Sequence, residues 1–193
     1  MKNKMFEIAV VLIVLCIAVC GIFAVKLYYD GKEISSENNK NSLEEVEVEY
    51  TSDGNGTNTY VSDNGYSVKY PDKYTAKKIA KAIDFILVDE KSGSSINIVT
   101  AKNDGSLKKM TKEEFEESLK STGMNVLIES YEDININGIP AVMAKYKYSG
   151  NDVTQTIIIL DAIGYNITMT MCNGISDEIL NDFEEILQSF KLR

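Results

Sequence analysis

The stretch AVMAKYKYSGNDVTQTIIILDAIGYNITMTMC, residues Ala141 to Cys172, decides the fold. It contains three runs rich in β-branched and aromatic residues: Ala141 to Tyr148, Val153 to Leu160 and Tyr165 to Cys172. Ser149-Gly150-Asn151 and Ala162-Ile163-Gly164 separate them. Glycine supplies the positive φ that short hairpin turns demand, so the runs read as consecutive antiparallel strands. A fourth strand, Val126 to Tyr131, precedes them, with Asn137-Gly138 as a type I′ turn signal. The segment Asp133-Ile134-Asn135-Ile136-Asn137-Gly138 also matches the opening of a calcium-binding EF-hand loop, whose twelfth position should be a bidentate glutamate. Here that position is Ala144, and the interleaved isoleucines favour the hairpin.

Outward from this core, Tyr66 to Tyr70, Ile83 to Asp89 and Ser95 to Ala101 alternate as strands, the last two joined by Lys91-Ser92-Gly93-Ser94. Lys73 to Lys81 reads as a loop or a short basic helix. One helix starts at Thr111, whose Thr-x-x-Glu spacing to Glu114 is a capping box. Met110 and Phe115 stand where a hydrophobic staple would, Leu119 extends the apolar stripe, and Gly123 is the stop signal. A second helix is capped by Ser176 and carries Ile179, Leu180, Phe183, Ile186, Leu187 and Phe190 at helical spacing. Antiparallel strands with two one-sided helices define an α+β fold, expected over residues 66–193.

Composition narrows the function. The 193 residues carry a net charge of −9, which argues against nucleic acid as a partner. There is no histidine, and the only arginine is Arg193. The chain therefore lacks the usual general base near neutral pH, the commonest metal ligand and an internal bidentate clamp for anions. No Ser-His-Asp set, phosphate-binding loop, dinucleotide fingerprint or zinc spacing is present. A non-enzymatic protein without a cofactor is the expectation.

Residues 1–29 read as a membrane anchor. The run from Ile8 to Val25 holds no charge and no proline, and as a helix it spans roughly 27 Å, close to the bilayer's hydrocarbon thickness. Lys2 and Lys4 precede it and favour a cytoplasmic N-terminus with the remainder outside. Three alternatives stay open: an uncleaved anchor, a lipoprotein signal ending at Cys20, and a cleaved signal peptide. Residues 30–65, rich in Ser, Asn, Glu, Asp and Gly, read as a polar acidic linker. The alternation of Val46, Val48 and Tyr50 with glutamates is the hint of one short edge strand. Abundant Lys, Asn and Ile suit the AT-rich genome of a Gram-positive bacterium, so the expected place is a single-pass position in the cell membrane.

Two residue groups are candidate sites. Lys73, Lys77, Lys78 and Lys81, with Lys69, concentrate positive charge and would meet anionic lipid heads or wall polymers. Tyr70, Tyr74, Tyr146, Tyr148 and Tyr165 would line a ligand groove, against the plainer reading of core-edge tyrosines. The Glu113 to Glu117 carboxylates read as a solvated helix face, and Met169, Met171 and Cys172 as packing.

The ordered set of Tyr70-Pro71, Thr111 with Glu114, Ile136-Asn137-Gly138, Gln155, Tyr165-Asn166-Ile167-Thr168 and Ile186-Leu187-Gln188-Ser189-Phe190 resembles the PsbP-like family. That resemblance covers Tyr66 to Arg193 and implies an α/β/α sandwich, shared with the Ran-binding Mog proteins. The look is to bacterial, secreted or lipoprotein-type members. Plant PsbP assists photosystem II in retaining calcium and chloride, but the family's metal- and partner-binding histidines have no counterpart here. The resemblance thus implies a non-enzymatic binding or assembly module of the envelope. The alternative is a carrier or sensor of a small apolar or lipidic ligand. The expected partners are the membrane through Ile8 to Val25 and an envelope protein or such a ligand.

Overall fold

The computed structural model describes residues 45–79, 83–121, 123–172 and 176–193. The proposed span Ile8 to Val25, Cys20 and Lys81 lie outside the described residues. Among the described residues, no helix is long and apolar enough to cross a membrane.

Among the described residues, twelve strands and two helices form two antiparallel sheets with helical cover. The strands are β1 (Glu45–Glu47), β2 (Tyr50–Ser52), β3 (Thr57–Ser62), β4 (Tyr66–Pro71), β5 (Ala76–Ile79), β6 (Ile83–Val88) and β7 (Ser95–Lys102), followed by α1 (Lys112–Ser121). Then come β8 (Ile128–Ile136), β9 (Ile139–Tyr148), β10 (Asn151–Ile159), β11 (Ile163–Met171), α2 (Asp177–Ser189) and β12 (Lys191–Leu192). The large sheet has the order β1-β5-β6-β7-β11-β10-β9-β8, and the small sheet the order β12-β4-β3-β2.

The stretch from Ala141 folds as its turns demand. Asn137 and Gly138 take φ of 52° and 88°, and Ser149 and Gly150 take 51° and 83°. These pairs of left-handed residues close the β8–β9 and β9–β10 hairpins, so the EF-hand alternative fails on geometry. Register then sorts the side chains. Tyr165, Ile167 and Met169 of β11 join Ile96 and Ile98 of β7 on one face, against Phe183, Ile186, Leu187 and Phe190 from α2 and its end. Tyr60, Tyr66 and Tyr70 of the small sheet complete this main core. The opposite face carries Ala144, Tyr146 and Val153, which pack on Phe115 and Leu119 of α1. Each fully buried side chain of this size contributes roughly 1.5–3 kcal/mol.

Local signals hold both helices in place. The Thr111 N–H donates to Glu114 Oε2 at 2.8 Å, and the Glu114 N–H donates to Thr111 Oγ1 at 3.2 Å, completing the capping box. Gly123, at φ 84°, donates to the Lys120 carbonyl, and Met124 donates to Leu119, which satisfies the last carbonyls of α1. Ser176 Oγ accepts from the Ile179 N–H and caps α2.

Two expectations are corrected. The stretch read as a linker, 30–65, contains β1, β2 and β3, so described strands begin at Glu45 rather than Tyr66. Val48 and Tyr60 enter the core, as do the polar Asn58 and Ser62. An inward face of Asn58, Tyr60 and Ser62 carries too little apolar signal to read as a strand. Likewise, the stretch read as loop or basic helix holds β5, paired between β1 and β6 with a register shift between Lys77 and Ile79. Edge pairing and the burial of Ala76 and Ile79 override its helix-favouring residues.

Candidate functional site

An apolar concavity lies on the α1 face of the large sheet. There a cavity of about 320 Å³ opens between the sheet and the segment from Asn103 to Met110. Val142 of β9, Ile157 of β10, and Gly164 and Asn166 of β11 form its floor, and Leu107 and Met110 its wall. Its volume is at the small end of ligand-binding pockets.

The wall is pinned at both ends. At the first, Asn103 Nδ2 donates to the Leu160 carbonyl at 2.6 Å, and its backbone N–H donates to Ala162 at 2.8 Å. Its Oδ1 accepts the N–H groups of Gly105 and Leu107, each at 3.0 Å, so one side chain sets the path of the loop. At the second end, Tyr131 Oη donates to the Met110 carbonyl at 2.7 Å, and the Tyr131 ring packs on Phe115 with centroids 5.6 Å apart. Lys109 Nζ pairs with Asp133 at 2.5 Å across the rim. Burial, with Asp133 adding, pushes the Tyr131 hydroxyl up to about 12, so it stays a donor at neutral pH.

Gly164 makes the fit between wall and floor. A Cβ built there would stand 2.7 Å from Leu107 Cδ1, so only glycine lets the leucine lie flat on β11. Beside it, Asn166 is 3% exposed, and its Oδ1 has no hydrogen-bond partner.

The tyrosines expected to line a groove are not gathered into one. Tyr70 and Tyr165 are buried in the main core with Tyr74 at its edge, whereas Tyr146 lies across the large sheet, beneath α1, with Tyr148 packed against that cluster. Burial raises the hydroxyl pKa of each of the first three and of Tyr146. Tyr146 Oη donates to Gln155 Oε1 at 2.9 Å, and Tyr165 Oη to the Asn64 carbonyl at 2.8 Å. Tyr74, Tyr146 and Tyr165 act as core tyrosines with bonded hydroxyls, and Tyr165 also meets the cavity from β11.

Lys77 and Lys78 do not lie on a helix. In β5, successive side chains point to opposite sides, so Lys77, half-buried, and Lys78, exposed, diverge. Lys73 Nζ sits 2.5 Å from Glu178 and 2.7 Å from Asp182, which hold its ammonium above the usual lysine range. Lys73, Lys77 and Lys91 border a polar cleft of about 580 Å³ that Asp89, Glu90 and Glu178 also line, so its charge is mixed.

A further polar cluster joins the two sheets. Asp84 of β6 accepts hydrogen bonds from Tyr60 Oη, at 3.2 Å, and from Ser62 Oγ. Burial first, then Asp84, pushes the Tyr60 hydroxyl up to about 12. Among the described residues, no group of His, Cys, Asp or Glu is arranged to hold a metal ion.

Of the residues that line this cavity, the sequence marks Met110 as a staple residue and Tyr165 as a candidate groove tyrosine, and none of the others as a site. The loop is polar in composition, and its shape depends on Asn103, a residue without a motif. Gly164 was legible as a turn glycine, not as the seat of Leu107.

No protein-family profile matches the sequence, and no curated protein matches it. Solved structures do match the fold. The solution structure of cyanobacterial PsbP (CyanoP) from Synechocystis sp. PCC 6803 aligns with a TM-score of 0.53 over 83% of this chain and 99% of its own. Identity is 9%, so the likeness is one of fold. The molecule is a sheet-dominant α+β protein with a PsbP-like fold.

Proposed function

We propose that this chain is a non-enzymatic binding module, anchored in the cell membrane through Ile8 to Val25 with its PsbP-like domain outside the cell, that carries or senses a small, largely apolar ligand. The single observation behind the ligand reading is the cavity of about 320 Å³ lined by Leu107, Met110, Val142 and Ile157. Its wall is fixed by hydrogen bonds from Asn103 and Tyr131, so the site is built before a ligand arrives. The assembly alternative draws less support. The exposed large apolar side chains among the described residues are Val46 on β1 and Leu127 before β8, at opposite edges of the large sheet, and Tyr50 on β2 and Val61 on β3, on opposite faces of the small sheet. Scattered residues of this kind do not make a docking patch. Composition, with no histidine and one terminal arginine, favours binding over catalysis.

The test uses the full-length chain in lipid nanodiscs. Methyl resonances of Leu107, Met110 and Ile157 are followed during titration with 1-octanol, with partition into empty nanodiscs measured separately. Saturable shifts confined to these methyls are expected. Unchanged methyls up to the solubility limit would remove the ligand reading.

A further inference from the structure

Among the residues of the cavity's floor, Asn166 carries a neutral polar side chain. It is 3% exposed and leaves its side-chain carbonyl without a partner. A buried acceptor without a donor costs roughly 1–3 kcal/mol, so the fold carries an unmet requirement at this spot. Asn166 is not isolated in this. Cross-strand register sets Ser95 of β7 opposite Thr170 of β11, and Asn97 opposite Thr168, on the same face of the sheet. Ser95, Asn97 and Thr170 are each at most 2% exposed, and each has side-chain polar atoms without a partner. A row of neutral hydrogen-bonding groups therefore leads away from the apolar floor, with Asn166 at the junction.

Charge argues against an ionic group at Asn166. No ionisable side chain belongs to this row, so a carboxylate or an ammonium brought to Asn166 would be buried without a counter-charge. The lysines that line the cavity, Lys108 and Lys109, are both exposed to solvent, and the Lys109 ammonium is paired with Asp133. We infer that the ligand is a neutral amphiphile whose apolar body fills the cavity and whose hydroxyl or amide N–H donates to the Asn166 side-chain carbonyl. This rests on the cavity being the ligand site.

The test compares 1-octanol with 1-methoxyheptane, which has the same number of heavy atoms but no donor, on the full chain in lipid nanodiscs by the same methyl readout. In the wild-type chain 1-octanol binds more tightly by roughly tenfold, the worth of one well-made buried hydrogen bond. In Asn166→Val the two probes bind alike, and the variant melts no lower than wild type without probe, because it removes an unpaired acceptor. Equal affinities in the wild-type chain would overturn the donor assignment and leave the cavity reading standing. A preference that survives in Asn166→Val would also overturn it, by placing the donor elsewhere. Binding of neither probe would overturn both.

Discussion

Asn137, at the tip of the β8–β9 hairpin, closes the end of α2: its Nδ2 donates to the Gln188 carbonyl at 2.5 Å and to the Phe190 carbonyl at 3.0 Å. One residue thus makes a type I′ turn and caps a helix distant in sequence. Asn137→Ala loses both contacts and strains a φ of 52°, and is expected to cost about 2 kcal/mol. Asn137→Gly loses the contacts but relaxes the backbone, and should cost about half as much. Asn137→Asp sets a carboxylate against two carbonyls and should do at least as badly as alanine. Urea unfolding followed by tyrosine fluorescence, available because the chain lacks tryptophan, ranks the three. Equal costs for alanine and glycine would show that the turn conformation contributes nothing.

A second relationship crosses β9 and β10. Tyr146 Oη donates to Gln155 Oε1 at 2.9 Å, with Tyr146 2% and Gln155 0% exposed. Tyr146→Phe keeps the ring's packing with Phe115 and strands a buried carbonyl oxygen, for an expected loss of about 1–3 kcal/mol. Adding Gln155→Leu removes the stranded atom, so the double variant should lose less than the sum of the singles. Strict additivity in the same unfolding assay would deny the coupling.

Both sites lie where the sequence spoke clearly. Hairpins from β8 to β11 were legible because Asn137-Gly138 and Ser149-Gly150 combine turn chemistry with two-residue alternation on either side. The capping box at Thr111 and Glu114 was legible because its chemistry is local. What escaped reading depends on distant pairing. Strand β3 buries Asn58 and Ser62, polar residues whose inward placement follows from neighbours in β4 and, for Ser62, from Asp84 on β6. Strand β5 carries Lys77 and Lys78 between two partners that no local pattern announces. The cavity was hidden for the same reason. Asn103 meets Leu160, and Leu107 meets Gly164, across more than a whole helix and three strands of intervening chain.

The tyrosine-rich interior makes a prediction about pH. Burial raises the hydroxyl pKa of Tyr60, Tyr66, Tyr70, Tyr74, Tyr131, Tyr146 and Tyr165, with Tyr60, Tyr70 and Tyr131 reaching about 12. In the unfolded chain these groups lose protons near pH 10. Folded pKa values above unfolded ones mean that the native state holds more protons through this window. The stability they contribute is complete below about pH 10 and is lost as pH rises through the folded values. With no histidine, stability should stay flat between about pH 6 and 8, begin to fall as the unfolded range of the partly buried Cys172 thiol is reached, and fall steeply above 10 with several protons released on unfolding. Thermal unfolding scans across pH 6 to 12, read with tyrosinate absorbance, measure both features. A sloping midpoint between about pH 6 and 8 would contradict this account.

The seat of Leu107 on Gly164 offers the sharpest control of the cavity. Gly164→Ala brings a Cβ within 2.7 Å of Leu107 Cδ1, and the contact is with the far end of a flexible side chain. The leucine therefore yields rather than the sheet. Leu107 lines the cavity, so the prediction is that its displaced side chain turns into that space. Stability should change by about 1 kcal/mol or less, since small-to-large strain is relieved by that movement. Affinity for 1-octanol should fall roughly tenfold, because the volume the probe needs is occupied. Gly164→Ala combined with Leu107→Ala removes the displaced group and should restore binding to near the wild-type value. Leu107→Ala alone enlarges the cavity and should weaken binding only slightly, through lost contacts. If Gly164→Ala binds 1-octanol as tightly as the wild-type chain, then Leu107 does not wall the ligand site, and the probe is held elsewhere on the molecule.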